Sequence, residues 1–512
     1  MTGCPGGSGE IGTTCGGNDD CSSSLQCLNG RCQPRCQRAP DCGDGYSCED
    51  DGSCKPATGG PGDNCSSEVD CAAGLSCQLD KSAAGSDLHL EATCTQENDT
   101  APAGSECVLD ADCRNGTCAL GHCVDVCQKS RDCGAGYNCA VIPSTVVSHA
   151  LFEGCLPESG LLTWRIPVDN TTPEVLIPAP TIATSVELVM SVPDPDQKVG
   201  ATSVMAPNGN RIYARPCSSA SGACTEAEEA DQFFANAQRH TPGFGQSVLS
   251  IPSGSSVGVM TGVYQINLAS QNADDSVGTA IPQVTAVVRL DSGVHLELHL
   301  FFLDLTDHPC QATIGTDPLN AASAGTAPGF QAYLDEIHTV FDRAAISVGA
   351  ISYEDILDHP TLDGLDAANA GDLLKLGKYA TGINVFFVRT LSPAGIQAFG
   401  PNPGPAGLSG TRQSGIVIGL DTLCYRSWTA LAHLTAHELA RYMGLYHNVE
   451  NGTPDHPTWH DQIDDDHTGD PSTNLMFFAE PVDPDDQPPP VLSADQREIL
   501  TRSAVLQGSV VP

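Results

Sequence analysis

The residues best equipped for chemistry lie in one short run, His437-Glu438-Leu439-Ala440-Arg441-Tyr442-Met443-Gly444-Leu445-Tyr446-His447. Imidazole nitrogens bind first-row metal ions, and a carboxylate beside them can take a proton from water. His437, Glu438 and His447 together therefore point to metal-assisted hydrolysis. Residues four apart share one face of a helix, so position 441 is where a second helical ligand would stand next to His437. That position carries arginine. A guanidinium has five donors, no available lone pair and a permanent positive charge, so Arg441 cannot bind a cation. Gly444 allows the helix to stop and the chain to turn back, so that His447 can approach from below.

The run resembles the metzincin signature H-E-x-x-H-x-x-G-x-x-H at every defining position except the fifth. The resemblance implies an α/β zinc metallopeptidase domain of the zincin type acting on a polypeptide. In that reading His437 and His447 hold zinc, Glu438 is the general base, and Arg441 stands where a ligand is lost. Asn474-Leu475-Met476-Phe477 is similar to the family's Met-turn, which implies that Met476 packs beneath the metal. His460-Asp461-Gln462-Ile463-Asp464-Asp465 resembles the acidic loop that secreted bacterial metzincins carry after the third histidine.

Arg441 leaves three outcomes open. The guanidinium can fill the void and pair with Glu438, which makes the site inactive. A substitute ligand can come from His456, His460 or Asp461, or from His433, although pairing His433 with His437 moves the metal about one turn, roughly 5 Å, along the helix. Lastly, zinc can bind weakly through His437, His447 and added water. An inactive site leaves a second function, that of a metzincin-fold binding or adhesion protein that accepts a protein ligand by pairing with an edge strand near Ile416 to Ile418.

The elements that must position these residues are legible upstream and downstream. Val294 to Leu303 reads as a strand, with His295 and His299 on one face as surface or rim residues. Phe330, Tyr333, Leu334, Ile337, Val340, Phe341 and Ala344 recur at helical spacing on one face. Ile383 to Val388 reads as a buried strand, Ser414 to Ile418 as a shorter one, and a helix is expected to start near Trp428. Ser493-Ala494-Asp495-Gln496 forms a capping box for a last helix. Asp483 to Asp486 read as a solvated Pro-rich loop.

Between residues 160 and 290 the chain changes to short β-branched runs, among them Ser185 to Met190, Val257 to Met260 and Gly262 to Leu268. This predicts an all-β sandwich, similar to the small sandwich domains that accompany secreted peptidases. Cys217 and Cys224 flank a Ser/Gly-rich loop and are expected to close it.

The N-terminal third differs again, because 21 of the 25 cysteines lie between Cys4 and Cys155. From Cys15 they fall into five sets of four: Cys15, Cys21, Cys27, Cys32; Cys36, Cys42, Cys48, Cys54; Cys65, Cys71, Cys77, Cys94; Cys107, Cys113, Cys118, Cys123; and Cys127, Cys133, Cys139, Cys155. An aspartate precedes the second cysteine in every set (Asp20, Asp41, Asp70, Asp112, Asp132), and a glycine two or three residues before the third cysteine recurs in four. Small modules with little apolar content need covalent staples, and close Cys-x-x-Cys pairs of the kind zinc sites use are absent. The pattern therefore predicts two disulfides per module, with connectivity open. It resembles the small Cys-rich repeats of Dickkopf N-terminal type found in bacterial surface lipoproteins, which act as stalks or interaction surfaces.

Disulfides require an oxidising compartment. Thr2-Gly3-Cys4 looks like the end of a lipobox, and an odd number of cysteines leaves Cys4 outside the repeat. An extracellular or outer-membrane lipoprotein location, anchored through a lipidated Cys4, is the expectation. A net charge of −40, with 63 acidic against 23 basic residues, argues against nucleic acid as a partner. The expected organisation is multi-domain: a linker over 1–14, disulfide-rich repeats over 15–158, an all-β sandwich over 160–290 and an α/β metzincin-like domain over 291–512.

Overall fold

The computed structural model describes the chain apart from residues 1–9, 11, 23–24, 29, 51, 85–87, 99, 148, 216–235, 255–257, 304, 367–369, 380, 394–395, 401–412, 454–455, 461–472, 478–488 and 509–512, and describes only the backbone of 28, 83–84, 449–453 and 456–460. Cys4, the Cys217–Cys224 loop, Asp461 and Asp483 to Asp486 lie outside the described residues, as do the side chains of His456 and His460. The chain divides into two compact units, the first built mainly from the residues up to Leu162 and the second mainly from the residues after it.

In the first unit every module pairs its first cysteine with its third and its second with its fourth. The third and fourth cysteines face each other across a hairpin, as in Cys27↔Cys32, Cys77↔Cys94 and Cys139↔Cys155. Hairpin length therefore explains why the last gap of the repeat varies most. The repeated aspartate ends a 3-10 turn, at Asp20, Asp41, Asp70, Asp112 and Asp132. One oxygen of each carboxylate accepts from the backbone N–H groups three and four residues earlier, at 2.7–3.2 Å. These bonds hold the turn that presents the second cysteine. The glycines before the third cysteine, Gly45, Gly74, Gly116 and Gly136, all have φ between +66° and +81°, a region costly for residues with a Cβ.

Modules distant in sequence also touch. Arg38 of the second donates to the carbonyls of Gly134 and Tyr137 in the fifth, at 2.8 and 2.6 Å, and pairs with Glu158 at 2.9 Å. Lys129 and Arg131 of the fifth reach Asp50 of the second. The repeats thus fold back on one another, which a simple stalk of consecutive modules would not do.

The second unit contains a β-sandwich and an α/β layer. In one sheet Ser185–Ser191 lies between Gln246–Ile251 and Gln283–Arg289, all antiparallel. In the other, Lys198–Met205 lies between Arg211–Ala214 and Gly262–Gln271. The run expected at Val257 to Met260 forms no strand over its described residues 258–260; with Gly258 among them, its apolar residues lack the alternation that would bury one face.

The α/β sheet has the order Ser347–Ile356, His295–Leu303, Ile383–Val388, Ile416–Gly419, Ala398–Phe399, the first four parallel and the last antiparallel. Ile416–Gly419 is therefore not the edge strand expected of it, because Ala398–Phe399 pairs along its outer side. Parallel strands need crossover elements that cover both faces, and both faces are buried. Phe302, Val385, Phe387 and Ile418 face the helices Pro328–Arg343 and Trp428–Tyr442. Phe301, Phe386, Val388 and Val417 pack instead on Leu365, Leu373 and Leu374. Burying each such side chain contributes about 1.5–3 kcal/mol.

His299 departs from the rim position expected of it. It is 7% exposed, stacks on Tyr379 at 3.7 Å, and contacts Ser352 Oγ at 2.8 Å and the Thr381 carbonyl at 3.0 Å. Two hydrogen-bond partners and a ring face compensate its burial. Cys310 and Cys424, left unassigned by the repeat pattern, form a disulfide.

The sandwich and the α/β layer belong to one compact unit. Buried Arg289 donates to the carbonyls of Ser503 and Leu506 at 2.8 and 2.5 Å, and Ser185 Oγ donates to the Arg502 carbonyl at 2.8 Å.

Candidate metal centre

The helix Trp428–Tyr442 begins at Ser427, whose Oγ accepts from the Ala430 N–H at 3.2 Å. Its inner face, including Leu431, Ala432, Ala436, Leu439 and Ala440, is buried. Small residues there let the Pro328–Arg343 helix approach, and Tyr333 Oη donates to Thr435 Oγ1 across the contact at 2.9 Å.

The helix ends in a Schellman motif. Leu445 N–H reaches the Ala440 carbonyl at 3.1 Å, Gly444 N–H reaches that of Arg441 at 3.0 Å, and Gly444 has φ +120°. This is the pairing of C″ to C3 and C′ to C2 that reverses the chain after a helix. The reversal brings His447 to His437, with ring centroids 5.2 Å apart and planes tilted by 37°. Two imidazoles sharing one tetrahedral zinc at a Zn–N distance of about 2.0–2.1 Å would have their centroids about 5 Å apart, a separation that these two rings match.

His437 Nδ1 lies 2.7 Å from the Leu475 carbonyl oxygen. A carbonyl only accepts, so Nδ1 carries the proton and Nε2 presents its lone pair. Burial, together with the positive potentials of His447 and Arg441, pushes His437 down to about 3 and keeps it neutral.

The segment that supplies Leu475 is itself braced. Asn474 Oδ1 accepts from the Met476 N–H at 2.8 Å, and the Asn474 and Gln496 amides exchange two hydrogen bonds at 3.0 and 3.1 Å. Gln496 also closes the expected capping box with Ser493. Met476 is fully buried, and its carbonyl accepts from the Asn448 N–H at 3.1 Å. The bracing roles of Asn474 and Gln496 were not anticipated from the sequence; the asparagine two residues before Met476 was the available signal, because Asn commonly bonds the backbone two residues on.

Glu438 is 8% exposed, and its Oε2 has no hydrogen-bond partner. Burial raises its pKa, opposed by the nearby charges of Arg441 and His447. Arg441 is half-buried, and among the described residues no hydrogen bond or ion pair joins it to Glu438. The carboxylate is therefore not tied up by the guanidinium.

His433 does not join the pair. Its Nε2 lies 2.7 Å from Glu336 Oε1 on the neighbouring helix. Among the described residues no third His, Cys, Asp or Glu side chain gathers with His437 and His447 at metal-binding spacing; the groups that do gather consist of the module cysteines, which are bound in disulfides. In its described part the site therefore offers a neutral His437 imidazole, the His447 ring beside it, a buried carboxylate and an arginine. Compared with known proteins, the chain matches no protein-family model and no curated protein.

Proposed function

We propose that residues 291–507 form a metzincin-type zinc metallopeptidase domain of low metal affinity, carried by an exported, disulfide-rich protein and directed at polypeptides. The observation that carries this reading is the pairing of His437 and His447 at a separation suited to one ion, with the Leu475 carbonyl fixing the His437 tautomer. Zinc, when bound there, would acidify water and polarise the scissile carbonyl. Glu438 would receive the proton of the attacking water and pass it to the leaving amine. Burial of its carboxylate suits it to hold that proton between the two steps. Met476 and the Asn474–Gln496 pair would keep the floor of the site in place.

Arg441 supports a second reading, that of an inactive, peptidase-shaped binding protein, because a permanent cation stands where a third ligand is needed. Zinc content of the purified chain separates the two. Near-stoichiometric zinc, with cleavage of a denatured protein that Glu438→Ala abolishes, favours the enzyme. Absence of zinc together with absence of cleavage would sink it. The disulfides imply an oxidising environment, and a cell-surface location through lipidated Cys4 is part of the same proposal.

A further inference from the structure

Gly400 follows the short edge strand Ala398–Phe399, which pairs antiparallel with Ile416–Gly419. Its backbone lies directly against the Glu438 side chain. A Cβ built on Gly400 would overlap Glu438 Oε2, with Glu438 Cδ 3.4 Å and Ile416 Cγ2 3.5 Å away. Gly400 is not one of the glycines with positive φ, so its backbone conformation accepts alanine. Among the described residues, what excludes a side chain here is the carboxylate.

That carboxylate is buried, and no hydrogen bond holds its Oε2. Among the described residues its placement therefore depends on packing, and the backbone at position 400 is a surface it packs against. We propose that Gly400 is the positioning residue of Glu438: the room left by its missing side chain sets where the carboxylate stands relative to His437 and His447. The catalytic consequence rests on the peptidase reading, whereas the steric relationship does not.

The obstacle that an added methyl meets is the far end of a flexible side chain, not backbone. Gly400→Ala should therefore swing the Glu438 carboxylate aside without unfolding the chain. The expected signature is coupling between the two positions, which a loss confined to the edge strand would not produce.

The experiment compares four full-length proteins: wild type, Gly400→Ala, Glu438→Ala and the double variant. Gly400→Ala should lower the thermal midpoint by about 2–4 °C in the presence of Glu438 and leave it unchanged in the Glu438→Ala background. On a denatured protein substrate, Gly400→Ala should lower kcat by about 10²-fold, as expected when a general base is displaced, while KM stays within about twofold. Equal midpoint shifts in both backgrounds would overturn the proposal, as would unchanged kcat in an active enzyme. If the wild type cleaves nothing but the midpoints remain coupled, the peptidase reading fails and the steric relationship stands.

Discussion

His437 Nδ1 and the Leu475 carbonyl oxygen lie 2.7 Å apart, so a residue 38 positions downstream decides which nitrogen of the ring is left to bind a cation. Ligand orientation of this kind accounts for about 10–100-fold in metal affinity at sites where it has been removed. The same relationship brings the Met476 segment and the final helix into the site, through Asn474 and Gln496.

On the proposed metal-site reading, Arg441→His should raise zinc affinity at least tenfold, and up to about 100-fold, because it supplies the helical ligand that the proposed site lacks. Competition against a chromophoric chelator measures this. If the variant takes up no more zinc than the wild type, the site has lost more than one ligand.

Gly444→Ala forces a residue with a Cβ into a φ of +120°. We expect a stability loss of about 1–2 kcal/mol in denaturant titrations, together with weaker zinc binding, since the turn delivers His447. Unaltered zinc binding would show that His447 reaches its place by other contacts.

Glu187 on the sandwich strand is 3% exposed, and burial pushes it up to about 7, opposed by the Ala504 N–H and Arg289. A carboxyl raised above its unfolded value stabilises the folded state below that value, and this contribution is lost as pH rises through the folded value. Stability of the second unit should therefore fall between 4.5 and about 7 on this account, and Glu187→Gln should flatten the decline. Tryptophan fluorescence reads this unit, because Trp164, Trp428 and Trp459 all lie in it. An identical pH slope in the variant would assign the dependence to another group.

Non-reducing peptide mapping should recover the first-to-third and second-to-fourth bridges in every module, and Cys21→Ser should expose one reactive thiol at Cys32. Removing the Cys71–Cys94 bridge, which spans 23 residues, should cost about 3 kcal/mol. Recovery of first-to-second pairs would contradict the module architecture.

Much of the fold was legible because its signals are local. The 3.6-residue spacing of Phe330, Tyr333, Leu334 and Ile337 marked a helix that is present at Pro328–Arg343, and Ser493 with Gln496 marked the start of another. The cysteine sets marked the modules, but which sulfurs join depends on a turn meeting a hairpin across space, and spacing alone leaves that open. His299 was misread for a similar reason. Alternation says which residues share a face of a strand, and Tyr379 and Thr381, which cover that face at His299, come from about 80 residues away.

For the candidate site, the sequence by itself determined the chemistry on offer: two histidines, a carboxylate, a turn at Gly444, and an arginine that has no lone pair to give a cation. Tertiary structure decided the rest. It brought His447 to within 5.2 Å of His437, turned His433 toward Glu336, left Glu438 unpaired with Arg441, and set the backbone of Gly400 against its carboxylate. The physical reason is that donor identity is covalent and can be read along the chain. Donor direction, and the space around a carboxylate, depend on which distant backbone groups pack against it.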